Sequence, residues 1–119
     1  MEKFELQVIV SSGLNAPEKA TLGLATALAA ASSGASVVVF FTMHGAIWAD
    51  PQHGHEHVFA KFETIAAYLE LLAEMEVVLE GCTACVEELC PAIALRPGFR
   101  LGGLSVAAIR ALTVPTLTF

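Results

Sequence analysis

Charge is scarce in this sequence, and positive charge is scarcest. Only 15% of its 119 residues are charged, and six Lys and Arg face twelve Asp and Glu for a formal charge of −6. An average domain carries about 25% charged residues. Nucleic-acid backbones are bound by clustered cations, and no segment here collects them, so nucleic acid is not an expected partner. Gly-Lys-Ser and Gly-Lys-Thr do not occur, and the loop after the first apolar segment lacks the glycine spacing of a dinucleotide site. No cofactor is expected. The opening Met1-Glu2-Lys3-Phe4-Glu5 has no basic stretch leading into an apolar one, as a secretory signal would, and the expected location is the cytoplasm. The one long uncharged run, Ala20 to Ala49, is broken by Ser32, Ser33 and Gly34. It reads as a soluble helix followed by a soluble strand, with no membrane span.

Apolar residues make up 55% of the chain. A chain of this length forms one domain, here 1–119. So small a domain with so little charge is expected to bury part of its surface in a homo-oligomer.

Phe4 to Val10 reads as a strand ending at Ser11-Ser12-Gly13. A helix is expected from about Ala16, with Asn15 as its cap, Pro17 in its first turn and Glu18 completing the cap, running through Leu22, Ala25, Leu28 and Ala29 to Gly34. Ala35 to Thr42 is a nearly continuous strand-forming run, as in a central parallel strand covered on both faces. Met43 to His57 is a long Gly-, Pro- and His-containing loop, in which Trp48 would cover a site or an oligomer contact. Val58, Phe62, Ile65, Leu69 and Leu72 recur at helical spacing, predicting a second helix from Val58, with Glu63, Glu70 and Glu74 as its solvated stripe and Phe40, Phe41, Phe59 and Phe62 as core. Glu76 to Gly81 is a short strand and Thr83 to Leu89 a short helix with Pro91 beyond it. Arg96 to Gly103 is a loop in which Arg96 and Arg100 could pair with an anion or a partner acid, solvent exposure being the default, followed by a helix from about Ser105 and a last strand over Val114 to Phe119. Alternating strands and helices predict an α/β fold: one three-layer domain, a mostly parallel sheet of about five strands with helices on both faces.

Parallel sheets hold ligands at the carboxyl ends of their strands, so the loops Ser11 to Asn15, Met43 to His57 and Gly81 to Cys85 should share one edge. Cys82 stands between a strand and a helix, where free backbone amides favour the thiolate, the nucleophilic form. The same residue type also serves as a small buried hydrophobe. Cys85, one helical turn on, makes a Cys-x-x-Cys pair suited to redox or metal chemistry, and Cys90 follows without diagnostic spacing. An odd cysteine count in a reducing compartment argues against a structural disulfide. His53, His55 and His57 alternate around Glu56 and are candidate metal ligands together with Cys85 and Cys90, or else a solvated loop. His44, directly after the buried strand, is a candidate cation or base beside Cys82, or an ordinary loop residue.

These pieces, in order, resemble one family along nearly the whole chain. Asn15-Ala16-Pro17 after the first strand, Phe41-Thr42-Met43-His44-Gly45, Gly81-Cys82-Thr83-Ala84-Cys85, Gly102-Gly103-Leu104 and the final Thr116-Leu117-Thr118-Phe119 are similar to the DsrE/DsrF-like sulfur-trafficking proteins, among them TusD-type relay subunits. The resemblance implies a compact α/β domain that forms homo- or hetero-oligomers, with a trimer or hexamer expected. It also implies sulfur carried as a persulfide on Cys82, with sulfur donor and acceptor proteins as partners and Cys85 as a resolving thiol. Whether such a chain is a sulfurtransferase enzyme or only a carrier stays open. The alternatives are a non-catalytic oligomeric module binding metal through Cys and His, and a thiol-disulfide protein using Cys82 and Cys85.

Overall fold

The computed structural model describes residues 2–90 and 94–119; the expected position of Pro91 lies outside them. Five strands, β1 (Leu6–Val10), β2 (Val37–Phe41), β3 (Val78–Cys82), β4 (Phe99–Gly102) and β5 (Thr116–Thr118), form one parallel sheet in the order β4-β3-β2-β1-β5. Its helices are α1 (Pro17–Ser32), α2 (Ile65–Glu74), α3 (Thr83–Leu89) and α4 (Leu104–Ala111), with a 3-10 helix over Met43–Ala49. Every residue of β2 is buried, as its unbroken apolar run requires of a central strand.

From β1 to β4 the chain steps across the sheet in one direction, then returns to the far edge for β5. Right-handed crossovers put the helices of the outward steps on one face and that of the return on the other. The packing agrees. Val8, Val10, Val39 and Phe41 pack with Leu24 of α1, Leu69 and Leu72 of α2 and Val86 of α3, whereas Phe40 and Cys82 pack with Ala107 of α4. Four of the α4-side residues remain well exposed: Leu104, Val106, Ile109 and Leu112.

Several elements depart from the sequence expectation. The cap of α1 is Ala16; the Asn15 side chain turns back to accept the Gly13 N–H at 3.4 Å. The buried stripe of α1 is Ala20, Leu24 and Ala27, and Leu22 faces outward. The second helix begins at Ile65, with Val58, Phe59 and Phe62 exposed and Glu63 outside it. Thr64 caps it by accepting the Ala67 N–H at 3.1 Å, and the Ala66 N–H is taken by the Gly54 carbonyl at 2.9 Å. That amide would bond the carbonyl four residues back if the helix continued upstream. Ala60 also holds a left-handed φ of 51°, which a helix does not tolerate.

Residues 99–102, expected as loop, are an edge strand. Arg96 is buried: its guanidinium donates to the carbonyls of Trp48 and Asp50, each at 3.2 Å, and to that of His53. Trp48 is a core residue of the domain, fully buried, with Nε1 donating to the Ser12 carbonyl at 2.8 Å. Together Trp48 and Arg96 hold the 43–53 segment against the sheet. Among the described residues no helix is long and apolar enough to cross a membrane.

Candidate functional site

The carboxyl ends of β1, β2 and β3 meet at one edge. Two glycines make the contact close. A Cβ on Gly13 would strike the His44 carbonyl, and one on Gly45 would strike the Val10 carbonyl, so the loop after β1 and the turn after β2 touch backbone to backbone.

Cys82 ends β3 and caps α3. Only 6% of its surface is exposed. Burial pushes its thiol up, but the Cys85 N–H, the Cys85 thiol, the Thr42 hydroxyl and the Ala84 N–H together outweigh burial, and the thiol lies below its ordinary value. The side chain closes no capping hydrogen bond of its own; these dipoles act on the sulfur as a group.

Cys85 lies one turn along and packs against the cluster of Phe40, Cys82 and Ala107. Its Sγ accepts the Met43 N–H at 3.2 Å and stands 3.7 Å from Thr42 Oγ1. Met43 makes this contact from a left-handed backbone, φ 51°. Cys85 borders a cleft of about 250 Å³ with Met43, His44, Ala84, Glu88 and Leu89. On the other side of His44 a second cleft of about 230 Å³ is lined by Leu14, Asn15, Ile47 and Leu89. The fold thus sets Cys85 against Cys82 on one side and, across the cleft, with the exposed His44 on the other.

It leaves the other candidates apart. Cys90 is buried under the 3-10 helix, donating to the Ala46 carbonyl at 3.5 Å, and burial followed by the nearby Asp50 carboxylate pushes its thiol up. His55 Nε2 lies 3.1 Å from the Pro51 carbonyl, and the His53 carbonyl is occupied by Arg96. Among the described residues no group of three or more His, Cys, Asp or Glu is placed to hold a metal ion. His53, His55, His57, Cys85 and Cys90 therefore do not converge.

Beneath α4 lies a polar network that the sequence reading did not anticipate. Glu80 is 3% exposed and receives Arg110 at 2.6 Å and Arg100 at 2.9 Å. Arg110 also donates to Gln7 Oε1 at 2.8 Å, Gln7 Nε2 donates to the Ala107 carbonyl at 3.1 Å, and Arg100 pairs with Glu2 at 2.7 Å. Arg100 thus pairs with acids, the alternative to free exposure, and does so from a strand instead of a loop. Glu80 precedes Cys82 by two residues on one strand, so both point to the α4 face. A glutamate following the apolar Val77-Val78-Leu79 run, inside β3, was the available signal, since a buried carboxylate requires partners.

The DsrE/DsrF-like family model matches residues 5–108. Among solved structures, the crystal structure of the E. coli YchN protein superposes with a TM-score of 0.79 at 18% identity, covering 98% of this chain and 100% of that one. No curated protein sequence gives a significant match.

Proposed function

We propose that this chain, which belongs to the DsrE/DsrF-like family, carries sulfur as a persulfide on Cys82. The observation that supports it most is the position of Cys82 at the junction of β3 and α3, packed against Cys85, where neighbouring dipoles hold its thiol below its ordinary value. The thiolate is the attacking form. In loading, Cys82 Sγ attacks the outer sulfur of a donor persulfide, an S–S bond forms as the donor S–S bond breaks, and the donor leaves as a thiolate. In delivery an acceptor thiolate attacks the outer sulfur of Cys82–S–SH and regenerates the Cys82 thiolate.

Cys85 stands between Cys82 and the cleft, which fits a resolving thiol. Its thiolate attacks the inner sulfur of the persulfide, expels hydrosulfide and leaves a Cys82–Cys85 disulfide, with no outside oxidant required. The same adjacency favours a thiol-disulfide protein as the second reading. His44 lines the cleft, which supports a role for it in meeting an incoming donor. The exposed apolar side of α4, with Ile109 at 66% and Leu112 at 82% exposure, supports a homo-oligomer in which a second copy covers this face.

Mass spectrometry of protein purified without reductant and then treated with a persulfide donor tests the reading. A gain of about 32 Da on Cys82 is expected in Cys85→Ser protein, where no resolving disulfide can form, and is absent from Cys82→Ser; no gain in Cys85→Ser together with a loss of about 2 Da in the wild type selects the thiol-disulfide reading. Sulfur loading that survives Cys82→Ser removes the assignment. Light scattering is expected to return a mass above that of one chain.

A further inference from the structure

Among the described residues no Lys or Arg lines the thiol cleft, and His44 is its one imidazole. Its lining is Met43, His44, Ala84, Cys85, Glu88 and Leu89, in which Glu88 is the single carboxylate. All six Lys and Arg of the chain stand elsewhere. Arg96 is committed to three backbone carbonyls, and Arg100 and Arg110 to Glu80 with Glu2 or Gln7. Lys3 lies with Val37 and Val78 at the opposite ends of the strands, Lys19 lies beside Phe59 and Phe62, and Lys61 is in the loop before α2.

This distribution bears on what can deliver sulfur. Sulfane sulfur can arrive on a sulfur oxyanion such as thiosulfate, where the leaving group is the sulfite dianion, or on an organic persulfide, where it is one thiolate. Stabilising a dianion needs cations or several aligned donors at the leaving group, and a carboxylate beside it is repulsive. The cleft is also smaller than the roughly 300 Å³ at which pockets for drug-sized ligands begin. It suits a cysteine persulfide at the tip of a chain segment or on a small thiol.

We propose that Glu88 makes this cleft select its sulfur donor by charge, accepting persulfides on neutral or cationic carriers, such as a cysteine flanked by basic residues, and refusing sulfur oxyanions. The proposal rests on the persulfide-carrier reading and names the donor class for it. In the accepted reaction Cys82–S⁻ and R–S–SH give Cys82–S–SH and R–S⁻, which takes a proton from water. The carboxylate of Glu88 steers a positive R toward the thiol and repels a negative one.

The experiment measures rates of Cys82 persulfide formation by mass spectrometry, at low ionic strength and pH 8, from persulfides of cysteamine, mercaptoethanol and mercaptoacetate and from thiosulfate. These carriers run from cationic through neutral to anionic around one S–SH group. The cysteamine persulfide is expected to load about 10-fold faster than the mercaptoacetate persulfide, and thiosulfate not at all. Molar salt should collapse the ranking, a readout that needs no variant. Glu88→Lys should invert it. Glu74→Lys, which changes net charge equally but sits on α2 outside the cleft, should leave it standing. Equal rates for all carriers, a ranking unchanged by both salt and Glu88→Lys, or ready loading from thiosulfate overturns the proposal while sparing the carrier reading. Failure of every donor to load Cys82 removes both.

Discussion

Met43 gives its backbone N–H to the sulfur of Cys85 across 3.2 Å, and does so from a left-handed conformation that glycine would adopt at no steric cost. The turn after β2 is bent so that a peptide dipole faces the thiol pair, and a side chain at that position is a local cost.

Met43→Gly should therefore stabilise the fold. A left-handed non-glycine residue costs roughly 1–2 kcal/mol, and glycine returns about 0.5–1 kcal/mol of that as unfolded-chain entropy. A gain of about 0.5 kcal/mol in urea unfolding is expected, with the amide contact kept. A loss above about 1 kcal/mol would show that the Met43 side chain contributes packing that outweighs the strain.

Cys82 should be the fastest of the three thiols to alkylate at neutral pH, with a rate that levels off below the roughly 8.5 of an ordinary cysteine. The sign for stability follows from the same shift. A folded-state value below the unfolded one contributes stability that is fully present above the unfolded value and is lost as pH falls through the folded one. Wild type should accordingly gain on Cys82→Ser as pH rises toward the roughly 8.5 of an ordinary cysteine. Faster alkylation of Cys85 or Cys90 in the folded protein would displace Cys82 as the nucleophile.

Glu80→Ala should cost about 3–5 kcal/mol, because it leaves Arg110 and Arg100 facing an empty buried position. Gly102→Ala should cost about 1–3 kcal/mol, since its Cβ would enter the Glu80 carboxylate. The two share one contact, so the double variant should lose less than the sum, and a double-mutant cycle in denaturant reads the coupling. Strict additivity would place the glycine's restraint outside this contact.

Chelator treatment should leave the thermal midpoint unchanged, and replacing His53, His55 and His57 together by alanine should leave sulfur loading of Cys82 intact. Among the described residues no group of three or more His, Cys, Asp or Glu is placed to hold a metal ion, and a structural metal would couple its removal to unfolding. A midpoint that falls on chelation would favour the metal-binding module.

The helix bounded by Thr83 and Leu89, the central strand of five apolar residues from Val37 to Phe41, and the position of Cys82 between strand and helix were all legible in the sequence. Each is set by neighbours within a few residues: β-branched runs, a strand meeting helix formers, and Gly34 closing α1 at φ 97°. Periodicity misled at Val58, Phe59 and Phe62, because a spacing of three and four says which residues could share a helix face. It says nothing about whether the carbonyl of Gly54 will claim the amide of Ala66 first.

What only the tertiary structure decided are the contacts between residues far apart in the chain. Arg96 is buried because three carbonyls of the 48–53 segment surround it, and Glu80 because arginines from β4 and α4 reach it from two sides. Composition and spacing cannot show such partners, since a buried charge is tolerated only through groups that the fold supplies. The thiol cleft is of the same kind. The sequence placed Cys82 and Cys85 one turn apart, but the approach of Met43, His44 and Glu88 to that pair depends on β2 and β3 lying side by side, with the turn after β2 packed against the loop after β1.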